Sequence, residues 1–194
     1  MKPTESEKQH ILSFVKELER LKDQQRTAWT GMARRESIAE HSWRLTMFAL
    51  ILEDYFPDVD CDKVLRMCLI HDLGECYDGD VSATIPVDKA EKERKEEAAI
   101  TTLSQPLASR TRQKLLALWH EYNAAETKEA KLAKALDKME TILQHNQGKN
   151  PSDFNYVFNL DYGRSAAQFD PLLASLRELI DQETMARARE NGQV

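Results

Sequence analysis

Apolar residues recur along this chain at helical spacing, in blocks separated by proline, glycine and charged stretches. Thr4-Glu5-Ser6-Glu7 has the spacing of a capping box and opens a helix whose stripe runs through Ile11, Phe14, Val15, Leu18 and Leu21. Residues Gln24 to Glu36 are polar and irregular, punctuated by Gly31, and read as a loop. Ser37-Ile38-Ala39-Glu40 is a second capping box. It puts His41 in the first turn of a helix whose stripe continues through Leu45, Phe48 and Leu52 until Pro57. Asp60 or Asp62 caps a third helix, in which Val64, Leu65 and Cys68 lead to His71 and Asp72 on one side. Gly74 and the turn Asp78-Gly79-Asp80 end it.

Pro86 begins a further helix, charged from Asp88 to Glu97 and apolar again at Ile100 and Leu103, and Pro106 breaks it. Leu115, Leu116, Leu118, Trp119 and Tyr122 mark the next. Ala130 to Leu143 is another, with Leu132, Ala133, Leu136, Met139 and Leu143 inward and Asp137 at the edge of the stripe. Gly148-Lys149-Asn150-Pro151 is the clearest break and precedes a loop carrying Phe154, Tyr156, Phe158 and Tyr162. Asp170-Pro171 opens a last helix through Leu172, Leu176 and Ile180. With no alternating strand pattern, the expected fold is all-α. We expect one domain over residues 1–194, with a core at about 20–145 and a helical extension over 151–194.

Composition narrows the partners. A net charge of −6 over 194 residues argues against a nucleic-acid polymer, which needs a basic face. It leaves open a small phosphate ester. Cys61, Cys68 and Cys76 form no CxxC pair, so neither a disulfide framework nor a zinc ribbon is expected. No segment reaches the ~20 apolar residues of a membrane span, and Met1 to Lys8 lacks an apolar signal core. A cytoplasmic protein is the expectation.

The chemistry lies in His41, the doublet His71-Asp72, and Asp137, all on or beside inward helix faces. One inward histidine is ordinarily a core residue satisfied by a hydrogen bond. Two inward aspartates are costly to bury unless something compensates them. A cation shared by all four residues resolves both problems. Imidazole with carboxylate suits a borderline divalent ion such as Mn, Fe, Co, Ni or Zn, one per subunit, with positions left open for water and substrate. Neighbours such as His71 and Asp72 point about 100° apart on a helix of ~3.6 residues per turn. An ion that both reach must therefore sit in the crotch between helices. Glu75 follows Asp72 by nearly one turn. The charge run over Asp88 to Glu97 reads as a solvated face, and His120 and His145 are not expected to be ligands.

A histidine, a His-Asp doublet and a distant aspartate, all on helices, resemble the signature of the HD-domain metal-dependent phosphohydrolases. Arg34-Arg35-Glu36-Ser37-Ile38-Ala39-Glu40-His41-Ser42 and His71-Asp72-Leu73-Gly74-Glu75, with Gly79-Asp80, look like its 5′-deoxynucleotidase branch. Leu118-Trp119-His120-Glu121-Tyr122 and Leu136-Asp137-Lys138 look like the HD domain-containing protein 2-like members. The resemblance implies a helical bundle, usually a homodimer, that removes phosphate from deoxynucleoside 5′-monophosphates. It makes His41, His71, Asp72 and Asp137 the metal ligands. Glu75 and Asp80 become the carboxylates that handle protons or orient the attacking water. Some members carry an adjacent Arg-Trp pair for the phosphate and the deoxyribose, where this chain has Arg26-Thr27-Ala28-Trp29. Arg26, Arg34 and Arg35 are accordingly the candidates for the phosphate, and Trp29 for the sugar. Another nucleotide phosphohydrolase or phosphodiesterase, or a non-catalytic nucleotide or metal sensor, remains the alternative.

Overall fold

The computed structural model describes residues 2–194. Helix α1 (Glu5–Glu17) begins at the Thr4–Glu7 capping box, and α2 (Arg20–Asp23) follows at once. The stripe on α1 is only partly covered: Phe14 and Leu18 meet a small apolar cluster, while Ile11, Leu12 and Val15 stay exposed.

Residues Gln24 to Glu36 are not a loop. They form an antiparallel hairpin of β1 (Gln25–Trp29) and β2 (Arg35–Ser37). The inward residues of β1 are Arg26 and Ala28. A charged residue on the buried face, in strands of five and three residues, breaks the apolar alternation by which a strand is read. Gln144 donates to the Trp29 carbonyl at 2.6 Å, and the Lys149 amide donates to the Thr30 carbonyl at 3.1 Å. These bonds hold the hairpin beside the helices.

Helix α3 (Ile38–Ile51) starts at the Ser37–Glu40 capping box and turns Ile38, His41, Leu45 and Ala49 inward. Helix α4 (Cys61–Ile70), capped by Asp60, buries Val64, Met67 and Cys68 against it. It stops at Ile70 rather than at Gly74: Asp72 leaves helical geometry with ψ near 12°, and a 3-10 turn spans Leu73–Glu75. Helix α5 (Lys89–Ser104), capped by Asp88, packs on that turn, and α6 (Ser109–Ala124) packs on both α4 and α5. Helix α7 (Lys128–Gln147) is buried along most of its length and forms the centre of the bundle.

The segment after Gly148 is more ordered than a loop, containing α8 (Phe158–Asp161) and α9 (Arg164–Ala167). The Arg177 guanidinium of α10 (Pro171–Glu190) binds the carbonyls of Asn159, Leu160 and Tyr162 together with Asp181. Leu173 and Ile180 of α10 join the same core as Leu136 and Met139. The C-terminal extension is thus continuous with the core.

Gly74 sits where the 3-10 turn meets α5. A Cβ there would lie 2.7 Å from the Glu96 Cβ and 2.9 Å from the Glu96 carbonyl oxygen. Gly74→Ala is expected to lower stability by about 1–3 kcal/mol, as overpacking does, because the obstacle includes backbone. Chemical denaturation measures this. A midpoint unchanged from wild type would show that the turn moves freely off α5.

Candidate metal centre

Four side chains from three helical elements converge. His41 comes from the first turn of α3, His71 and Asp72 from the broken end of α4, and Asp137 from the middle of α7. His71 keeps helical backbone angles, and the break after it frees Asp72 from helical geometry. Asp72 Oδ2 lies 3.1 Å from His71 Nε2 and 3.9 Å from His41 Nε2. Asp137 Oδ1 lies 3.2 Å from His41 Nε2 and 4.0 Å from His71 Nε2.

The orientation of each ring follows from its far nitrogen. His71 Nδ1 faces the Cys68 carbonyl at 2.9 Å; a carbonyl only accepts, so Nδ1 carries the proton and Nε2 offers a lone pair. His41 Nδ1 bonds Glu140, which also accepts from Arg44. Both Nε2 atoms are buried and make no hydrogen bond, although carboxylate oxygens lie near them. They point past those oxygens. Asp137 Oδ2 is taken by the Tyr122 hydroxyl at 2.8 Å and the Lys138 ammonium at 2.9 Å, which leaves Oδ1 for the centre. Arg26 donates to Asp72 Oδ2 at 3.2 Å and to Thr141 at 3.0 Å.

This set fits a divalent ion. Two donors each about 2.1 Å from one ion lie about 3.0 Å apart at a right angle and about 4.2 Å apart in opposition. The four histidine-to-aspartate separations fall inside that window, and His41, His71 and Asp137 offer atoms all within 4.8 Å of one another, with Asp72 at the edge of that set. The outer partners Glu140, Cys68, Tyr122 and Lys138 hold the donors in place, as outer partners do at metal sites.

Burial and Arg26 oppose a charge on His41, but Glu140 and Asp137 outweigh them and push its pKa up to about 9. An ion binding at Nε2 must therefore displace a proton at neutral pH. Apparent metal affinity is expected to rise roughly tenfold per pH unit between about pH 6 and 8 and to level off near 9. Competition with a chelator at several pH values measures it. A flat profile would mean that His41 gives up no proton.

Glu75 is buried in the 3-10 turn after Asp72. Its Oε1 accepts from Lys92 of α5 at 3.2 Å, and its Oε2 is buried with no partner. Burial first, then the charges of Asp72 and Asp80, hold its pKa well above the usual carboxylate range. Asp80 is half-buried beyond the turn, and its charge reaches both Glu75 and Arg26.

Of the substrate candidates, Arg26 alone is brought to the ligands. Arg34 pairs with Glu40 at the start of α3. Arg35 donates to the Arg26 carbonyl and lies over the Trp29 ring, 4.8 Å from its centroid. Trp29 faces away from the inward side of β1 that Arg26 and Ala28 share. Strand alternation separates these residues, and a loop reading cannot reveal it.

Several site residues carry no local signal. Glu140 follows Asp137 by three residues and so shares its face of α7, a spacing that could have pointed to it. Lys92 lies in the charge run read as solvated, yet it is half-buried between Glu75 and Glu96. Tyr122 stands in the string Leu118–Tyr122 but shows its role only by touching Asp137.

Comparison with known proteins agrees with this geometry. The HD domain family model matches residues 18–177. The 5′-deoxynucleotidase HDDC2 of Homo sapiens is 35% identical over 136 residues, which cover 69% of this chain and 66% of that protein. Its Xenopus laevis namesake is 32% identical over 188 residues, covering 94% and 91%. A solved structure described as a predicted metal-dependent phosphohydrolase from Magnetospirillum magnetotacticum MS-1 superposes with a TM-score of 0.79 at 32% identity, covering 97% and 98%. With the family's match running from before the hairpin into α10, and with His41, His71 and Asp137 converging inside it, the chain belongs to the HD domain family.

Proposed function

We propose that this protein is a metal-dependent phosphomonoesterase that hydrolyses deoxynucleoside 5′-monophosphates to deoxynucleosides and phosphate. The observation that carries this reading is the pair of buried, unbonded His41 and His71 Nε2 atoms facing single oxygens of Asp72 and Asp137, with the free Oε2 of Glu75 nearby in sequence. The names of the HDDC2 relatives support the substrate class.

His41, His71, Asp72 and Asp137 would hold a divalent ion, which would supply a Lewis acid for a phosphate oxygen and lower the pKa of a water. The chain's own groups do the rest. Arg26, anchored by Asp72 and Thr141, has guanidinium N–H groups left over to meet a phosphoryl oxygen. Water adds to phosphorus, the bond from phosphorus to the 5′-oxygen breaks, that oxygen takes up a proton, and the proton lost by the water restores the donor. Glu75, biased toward its protonated form and locked through Oε1 by Lys92, is the donor. Asp80, close enough to act on Glu75, is placed to help orient the water.

The donor set favours manganese, cobalt or another borderline transition metal, one per subunit. A homodimer is the assembly we propose, supported by Trp43, Met47, Leu50 and Ile51, which α3 leaves exposed along one side. The cytoplasm is the compartment, supported by the three free cysteines, two of them buried.

The test is a phosphate-release screen of manganese- and cobalt-loaded protein over deoxynucleoside and ribonucleoside 5′-monophosphates, a cyclic nucleotide and a triphosphate. Release from deoxynucleoside monophosphates above the others is the expected result. Turnover confined to the cyclic nucleotide or the triphosphate would replace the reading with another hydrolase class.

A further inference from the structure

Helix α7 carries a lysine on either side of Asp137. Lys138 is engaged, with its ammonium on Asp137 Oδ2 at 2.9 Å. Lys134, one turn earlier, is not. It is half-buried, no carboxylate among the described residues forms an ion pair with it, and its ammonium rests on the Tyr122 ring, 4.3 Å from the centroid. That tyrosine touches two of the four metal-directed residues: its hydroxyl donates to Asp137 Oδ2, and its ring packs against His71 at 5.2 Å. The other cations around the centre have anionic partners: Arg26 has Asp72, Arg44 has Glu140, and Lys92 has Glu75 and Glu96.

From this placement we propose that Lys134 is a phosphate-binding residue, its ammonium receiving an oxygen of the substrate's phosphate. This rests on the phosphomonoesterase reading. A half-buried ammonium loses hydration, and the face of a ring returns only part of that loss. Burial and Lys138 both act against the charge, while Asp137, Asp72 and Glu96 act for it. A phosphate monoester brings two negative charges to a centre already lined by Asp72, Asp137, Glu75 and Asp80, so it needs a cation whose own pairing is incomplete. Lys134 meets that condition. The competing role is packing, with the aliphatic stem covering Tyr122.

Charge and stem separate cleanly. Lys134→Met keeps the stem and removes the charge, while Lys134→Arg keeps both. Calorimetric titration of inorganic phosphate into manganese-loaded protein is the primary readout, with metal content and melting temperature measured in parallel. Lys134→Met is expected to bind phosphate roughly tenfold more weakly or worse, the worth of one charged hydrogen bond, at unchanged metal content. Lys134→Arg should recover most of the loss, and KM for a deoxynucleotide should rise with the phosphate dissociation constant. Equal phosphate affinity in wild type and Lys134→Met overturns the proposal, as does an equal loss in the Met and Arg variants. Phosphate binding through Lys134 in a protein that releases none from any deoxynucleotide would keep this assignment and remove the proposed reaction.

Discussion

Asp72→Ala protein is expected to retain no more metal than a chelator-treated control and to release no phosphate above that control. Asp72 Oδ2 faces both imidazoles and also neutralises Arg26. Burial works against the Asp72 charge, but His71 and Arg26 hold its pKa low, so a carboxylate stands ready at any physiological pH. Truncation removes one donor and leaves a buried guanidinium short of its anion, which costs about 3–5 kcal/mol in comparable pairs. Asp72→Asn separates the two effects, since its amide oxygen still accepts from Arg26. Losing an outer partner already weakens metal binding by about 10–100-fold, so loss of this donor should cost at least roughly 100-fold. Full metal content in Asp72→Asn protein would remove Asp72 from the ligand set.

Glu75→Gln is expected to behave in the opposite way, keeping its metal and its fold while turnover falls by roughly 10²–10⁴-fold, the usual worth of a positioned proton transfer. The amide matches the carboxylate in shape and still accepts from Lys92 through its oxygen, so the turn between Asp72 and Gly79 should hold. Burial in the absence of a partner for Oε2 has no structural benefit, because an unsatisfied buried acceptor costs about 1–3 kcal/mol. Proton transfer gives that oxygen a purpose. Near-normal turnover in the Gln variant would make Glu75 a bystander.

The parts of the molecule legible in the sequence are those with a local cause. Thr4 with Glu7, and Ser37 with Glu40, announce their helices because each cap and its partner lie within one turn. His41 and His71 read as inward because they continue apolar stripes. The end of α4 is hidden, since Ile70, His71 and Asp72 carry no breaker and the chain leaves the helix to suit the centre rather than any local preference. The hairpin is hidden because Arg26 occupies a buried strand position that local pattern assigns to an apolar side chain. Lys92 and Tyr122 matter through contacts with distant residues, so nothing in their own neighbourhoods identifies them, whereas Glu140 is marked only by sharing a helix face with Asp137.

Asp137 presents a single oxygen, because Tyr122 and Lys138 occupy the other. Asp72 differs: Arg26 donates to Oδ2, the same oxygen that lies beside both imidazoles. Calcium collects six to eight oxygens and takes carboxylates through one oxygen or both. The phenol and the ammonium therefore narrow what Asp137 can offer: with one edge closed, that carboxylate cannot grip an ion through both oxygens.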